Sequence, residues 1–209
     1  MLLATVHSDA LLVVDVQRDF CPGGTLAVPQ GDAVVPVINR LAPHFGTVVM
    51  TQDWHPAGHV SFASAHPGRN PGEWRETPLG PLTLWPDHCV QGTKGARLHP
   101  GLEAARATML LRKGERADVD ALSCFRSDDG RHETGLAGYL RDRRVTHVWL
   151  TGLALDVCVS ATALDAVAAG FVVTIVEDAT RSIVHGESLV EVRARLSAAG
   201  VSWAMAGEA

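Results

Sequence analysis

ALLVVDV at residues 10–16 is an apolar run interrupted only by Asp15 near its end. A run this short and this rich in Val and Leu suits a strand buried on both faces, not the alternating strand of a half-exposed sheet. The pattern returns in GTVVMTQD at 46–53, ATMLLRK at 107–113 and THVWLTG at 146–152, each passing from apolar to polar at its carboxyl end. Longer amphipathic stretches lie between such runs. The periodicity predicts strands over about 10–16, 47–52, 107–112, 145–151, 171–176 and 201–204, and helices over about 32–45, 133–143, 156–169 and 187–199, with Asp32 as the first N-cap. Strands alternating with helices require right-handed crossovers and hence a mainly parallel sheet with helices on both faces. The expected architecture is a single-domain, doubly wound, three-layer α/β fold over residues 1–209, its six strands ordered 3-2-1-4-5-6.

Such a fold brings the carboxyl ends of its strands to one edge, where open α/β sheets bind ligands. Asp15, Asp53 and Lys113 all stand at strand ends, and Cys158 follows the Gly-containing turn out of the fourth strand. From Asp53 to about residue 105 the chain changes character, with six prolines and three of the five tryptophans before residue 87. A connection that long is unusual inside a domain, and its aromatic content marks it as an active-site loop.

Composition narrows the classes of partner. With 209 residues, 46% hydrophobic, the chain can bury a core without staples. Its formal net charge of −5 and lack of a basic stripe argue against nucleic acid. MLLATVHSDALLVVDVQ carries no basic leader, and its apolar stretch is too short to span a bilayer, so no membrane is expected and the location reads as cytoplasmic. Four scattered cysteines without a CxxC pair suit reduced thiols. A small molecule is the default ligand, and a homo-oligomer is compatible with all of this.

The residues at the predicted edge form a coherent set. Cys158 is expected in the first turn of a helix, where unpaired N–H groups and the dipole favour a thiolate and can also bind an oxyanion. Asp15 would be its base. Their reference pKa values lie about 4.6 units apart, roughly 6 kcal/mol against proton transfer. Burial of Asp15, with Lys113 and the helix terminus beside the sulfur, would act to close that gap. Asp53 and His55, two apart at a strand end, can point to one side, and His88 arrives from the long loop. Two imidazoles and a carboxylate suit one divalent metal ion, zinc ahead of iron or manganese, with His59 a candidate extra ligand.

DVQRDFCPGGTLAV at 15–28, TQDWHPAGHVSFAS at 51–64, WPDHCVQGT at 85–93, RKG at 112–114 and GLALDVCVSATALDA at 152–166 together resemble the nicotinamidase/pyrazinamidase group of the isochorismatase-like cysteine hydrolases. The resemblance spans nearly the whole chain in the right order. It implies Asp15, Lys113 and Cys158 as catalytic triad and Asp53, His55 and His88 as metal ligands. It further implies Phe20 and Trp85 flanking a pyridine ring, Leu153 and Ala154 against the substrate across a cis peptide, and the amides of Ala154 and Cys158 as oxyanion hole. The implied reaction is hydrolysis of nicotinamide, and of pyrazinamide, through a cysteine thioester, feeding NAD salvage. Two positions depart from the family pattern: Arg18 stands where Asn is usual and Leu155 where Thr is usual. The competing readings are a metal-free amidase or carbamoyl hydrolase of the same superfamily, and a non-catalytic binding module.

Overall fold

The computed structural model describes residues 8–183 and 187–207. Its strands are β1 (Asp9–Val14), β2 (Thr47–Asp53), β3 (Trp74–Thr77), β4 (Gly80–Thr83), β5 (Met109–Lys113), β6 (His147–Leu153), β7 (Val172–Arg181) and β8 (Ser202–Ala204). Six of them form one sheet in the order β5-β2-β1-β6-β7-β8, with every neighbour parallel. Counted along the chain, this is the expected 3-2-1-4-5-6. The helices are α1 (Val34–Leu41), α2 (Leu136–Asp142), α3 (Ser160–Ala168) and α4 (Glu187–Ala198).

The apolar runs become strands because both faces of the sheet are covered. Leu11 and Val13 pack into one core with Val34 and Ile38 of α1. Leu12 and Val14 enter a second core with residues of α2, α3 and α4, among them Leu140, Ala163 and Leu196. All of β2 is buried. At the switch point β1 and β6 approach so closely that Val14 pairs with Gly152, whose φ of 101° and tight contact with the Val14 carbonyl leave no room for a Cβ. Gly152→Ala is therefore expected to destabilise the fold by at least about 2 kcal/mol, through left-handed backbone strain added to overpacking. A chemical-denaturation midpoint equal to the parent's would contradict this.

Several boundaries differ from the sequence reading, each for a local reason. The first helix begins after Ala33, preceded by a 3-10 turn at Gly31–Ala33, and Asp32 provides no side-chain cap. With Asp32 as N-cap, Pro36 would occupy the fourth helical position, where an N–H must donate to the Asp32 carbonyl. Starting one residue later leaves Pro36 inside the turn that needs no donors. α2 starts at Leu136 because Gly135, at φ 86°, turns the chain into it. The long connection from β2 to β5 holds a hairpin, β3 on β4, that Pro78 and Pro81 disguise in the sequence; proline is tolerated because each strand has a free edge. β7 runs on to Arg181 past an irregularity opposite β6.

Candidate active site

β1, β2, β5 and β6 end at one edge of the sheet, and the strand register puts Asp53 directly beside Lys113. Asp15 leaves β1 with φ 48° and is fully buried. Its backbone N–H donates to Thr51 Oγ1 at 3.0 Å, and the same hydroxyl donates to Asp15 Oδ1 at 2.5 Å. Gln17 pairs through its amide with the backbone of Asp53, donating to the carbonyl and accepting from the N–H, both at 2.8 Å. The segment after β1 is thus laced to the end of β2.

Lys113 is buried between two carboxylates, 3.0 Å from Asp15 Oδ2 and 2.5 Å from Asp53 Oδ1. An ammonium has three N–H groups. Here they go to Asp53, to the Ala121 carbonyl at 2.9 Å and to Cys158 Sγ at 3.6 Å. Asp15 Oδ2 is paired with the same ammonium at 3.0 Å and, among the described residues, has no further partner. Burial alone would strip Lys113 of its proton, but the two carboxylates outweigh it and hold the amine well above its usual range. Asp53 is pulled well below the usual carboxylate range: burial would raise it, and Lys113 and the two imidazoles overcome that. Asp15 moves the other way, raised by burial against the opposing charge of Lys113, with Asp53 adding to the rise.

Cys158 is buried in a π-helical turn, Leu155–Val159, that leads into α3. The single α-helix expected over 156–169 is thus divided, and the cysteine sits in the wider turn. Its sulfur and an oxygen each of Asp15 and Asp53 lie within 4.8 Å of one another. Burial pushes the thiol well above its usual pKa, and Lys113 only partly offsets this. The direction of this shift favours the thiol and opposes the pull of the lysine toward a thiolate. The Leu153–Ala154 peptide is cis, and the Ala154 carbonyl accepts from the N–H groups of Val157 and Val159 at 3.1 Å.

Donor atoms of Asp53, His55 and His88 also lie within 4.8 Å of one another. Each histidine has Nδ1 against a backbone carbonyl, His55 on Gly114 at 2.9 Å and His88 on Pro86 at 2.8 Å. That contact makes Nδ1 a donor in each ring, so that Nε2 carries the lone pair whenever the ring is neutral. Both Nε2 atoms face Asp53 Oδ2, at 3.6 and 3.9 Å. Two neutral imidazoles and a carboxylate oxygen converging with hydrogen bonds behind them are what a divalent metal site requires. His59 stacks on His55 with centroids 4.1 Å apart, and its nitrogens meet Ser61 Oγ and the Val119 carbonyl. Burial and the neighbouring His55 lower its pKa to about 4. It forms a second donor group with His55 and Asp120.

Cys158, Asp53, His55 and His88 line one narrow cavity together with Phe20, Trp85 and Ala154, while Asp15 and Lys113 are buried outside its lining. Leu153 lies in the core around α1, one residue behind Ala154. Leu155 packs into the opposite core, filling with apolar contact the place where the family pattern has a hydroxyl. Arg18 gives its backbone N–H to the Arg97 carbonyl, and its side-chain Nε is buried without a partner. Sequence reasoning missed Thr51, Asp120 and Phe62. Thr51 precedes Asp53 by two on one strand, so period-2 alternation puts both on one face, the only signal that could have found it. Phe62 is fully buried and stands edge-on to His55 and His88 at 5.5 and 5.4 Å, which closes the apolar side of the donor group.

Comparison with known proteins bears on the same site. Residues 9–198 match the isochorismatase domain family. The chain is 46% identical to a nicotinamidase of Acinetobacter baylyi over 192 residues, 92% of this chain and 90% of that one. Its structure is similar to that of a nicotinamidase/pyrazinamidase from Acinetobacter baumanii, with TM-score 0.95 and 44% identity over 97% of this chain and 98% of the other. It also resembles a Pyrococcus horikoshii pyrazinamidase in complex with zinc, with TM-score 0.78 and 36% identity over 95% and 99% of the two chains.

Proposed function

The chain belongs to the isochorismatase family, and from that premise we propose that it is a nicotinamidase, hydrolysing nicotinamide, and pyrazinamide with it, to the carboxylate and ammonia. The observation that carries the reading is the convergence of Asp15 and Lys113 on Cys158, which lines one cavity with an Asp/His/His donor set and with Phe20 and Trp85.

Asp15 is the base and Cys158 the nucleophile. Burial raises both groups, which favours transfer of the sulfur proton to Asp15 as the C–S bond forms. The amides of Ala154 and Cys158 hold the developing oxyanion. Ammonia leaves with the proton from Asp15, and water then hydrolyses the thioester with Asp15 as base again. Lys113 stays charged throughout and holds Asp15, Asp53 and the sulfur in place. Asp53, His55 and His88 fit a divalent metal ion, zinc by the donor set and by the zinc complex of a relative, which supplies an anchoring position for a ring nitrogen. His59 fits a supporting place beside His55. We assign the whole chain to one hydrolase domain acting in cytoplasmic NAD salvage. Among the described residues no helix is long and apolar enough to cross a membrane.

The test compares ring chemistry. Phe20 and Trp85 can flank any flat six-membered ring, and stacking barely separates pyridine from benzene. A site that bonds a polar atom rejects the analogue lacking it, so kcat/KM for nicotinamide should exceed that for benzamide by at least about a hundredfold. Ammonia release by purified protein of known metal content measures this. Equal values together with full activity in metal-free protein would move the assignment to a metal-independent amidase.

A further inference from the structure

We propose that Thr51 is a positioning residue that divides the two oxygens of Asp15, so that Oδ2 alone receives the Cys158 proton. The inference rests on Asp15 being the base, as proposed above.

The Thr51 hydroxyl is fully buried and has one proton to give. Its acceptor side is occupied by the Asp15 backbone N–H at 3.0 Å and by Cys124 Sγ at 3.6 Å. The Cys124 backbone N–H in turn is held by Thr162 Oγ1 at 3.1 Å, which fixes that thiol over the hydroxyl. With both lone pairs engaged, the hydroxyl can only donate, and it donates to Asp15 Oδ1 at 2.5 Å. A proton arriving on Oδ1 would meet that donor head-on and find no acceptor. Oδ2 is in the opposite condition. It is buried and makes a 3.0 Å ion pair with Lys113, whose better aligned N–H contacts go to Asp53, Ala121 and Cys158, so that among the described residues no group other than Lys113 engages Oδ2 and one of its lone pairs stays open.

The step then reads as follows in bonds. The S–H bond of Cys158 breaks and an O–H bond forms on Asp15 Oδ2. The sulfur electron pair forms the bond to the carboxamide carbon, and the carbonyl pair moves onto oxygen. The same Oδ2 proton later passes to the departing nitrogen. Thr51 touches no reacting atom. It keeps the carboxylate from rotating and thereby keeps Oδ2 on the side of Lys113, whose ammonium also touches the sulfur.

Three substitutions test it on the full, metal-loaded protein. Thr51→Val keeps the shape and removes the hydroxyl, and should lower kcat by about 10- to 100-fold, the value of one hydrogen bond to a charged group, with KM within about threefold of the parent. Thr51→Ser keeps the hydroxyl and should retain kcat within about threefold. If the valine variant does not fold, Thr51→Ala is set against Thr51→Ser, with the same tenfold gap expected. Metal content is measured on each variant because Thr51 is two residues from Asp53. A valine variant with parental kcat, a serine variant as impaired as valine, or a loss that follows metal content would each overturn the inference. Neutron diffraction on the unsubstituted protein decides it without any variant: the shared hydrogen is expected on Thr51 Oγ1, and finding it on Asp15 Oδ1 would also overturn it. Asp15→Asn and Cys158→Ala separate the two levels, since substantial amide hydrolysis in either would remove the underlying mechanism, whereas their inactivity beside an active valine variant would remove Thr51 alone.

Discussion

Cys158→Ala is expected to reduce nicotinamide hydrolysis by at least about a thousandfold while leaving a folded protein. The side chain is small and buried, and shortening it by one heavy atom costs about 1 kcal/mol, far less than a typical domain's stability. Turnover suffers much more because no other described residue lining the cavity carries a thiol or hydroxyl, and the nearby oxygens of Asp15 and Asp53 belong to carboxylates, which are poor nucleophiles toward an amide. Cys21→Ala is the matched control, since its buried thiol, raised to about 11 by burial and by Asp32, belongs to the core around α1. Activity above about one hundredth of the parent in the Cys158 variant, measured as ammonia release, would exclude a thioester mechanism.

The second large effect is expected from Lys113→Met. Methionine fills most of the same volume but leaves Asp15 and Asp53, whose oxygens approach within 4.8 Å, buried without their shared cation. Removing one partner of a buried ion pair typically costs about 3–5 kcal/mol, and turnover should fall by at least about a hundredfold as Asp15 and the sulfur lose their common anchor. The loss should depend on pH in a definite direction. In the parent, Lys113 holds Asp53 below the unfolded carboxylate pKa of about 3.9, so that part of the stability is present above that pH and fades as pH falls. In the variant, burial and mutual repulsion place folded pKa values above the unfolded ones, so its penalty is largest at neutral pH and shrinks on acidification. The gap in denaturation midpoint between parent and Lys113→Met should thus narrow from pH 7 to pH 5. Adding Asp15→Asn to the variant should recover part of the stability and none of the activity. A gap that is constant with pH would mean that the lysine acts through packing and not through its charge.

Much of the site could be read from residue order because strand ends are local events. An apolar run that turns polar at Asp15, Asp53 or Lys113 signals where a buried strand reaches solvent, and the alternation of strands and helices then gathers those ends at one edge. The Asp53/His55 pair was legible for a similar reason, being two residues apart at a strand end, and His88 because it stands in the aromatic loop. Thr51 was not. Within TVVMTQD a threonine reads as an ordinary β-branched strand residue, and its partner Asp15 is 36 positions away. Phe62 likewise reads as one apolar residue of a loop until the fold sets it against two histidines.

What the sequence determined by itself is the framework: six strands, their crossover helices, hence the parallel order, and the chemical types brought to the carboxyl edge. What only the tertiary structure decided is how protons and donors are distributed among those groups. How Lys113 is shared between two carboxylates, which oxygen of Asp15 takes the Thr51 hydroxyl, and which nitrogen of His55 and His88 faces Asp53 depend on contacts of about 2.5 to 4 Å between segments far apart in the chain. Even the upward shift of the Cys158 thiol follows first from burial in a π-helical turn and then from Asp53 and Asp15, which the fold brings beside it. Hydrophobic periodicity is a property of neighbours along the chain and survives in the sequence. Hydrogen-bond saturation and desolvation are properties of neighbours in space, and they exist only once the sheet has brought the strand ends together.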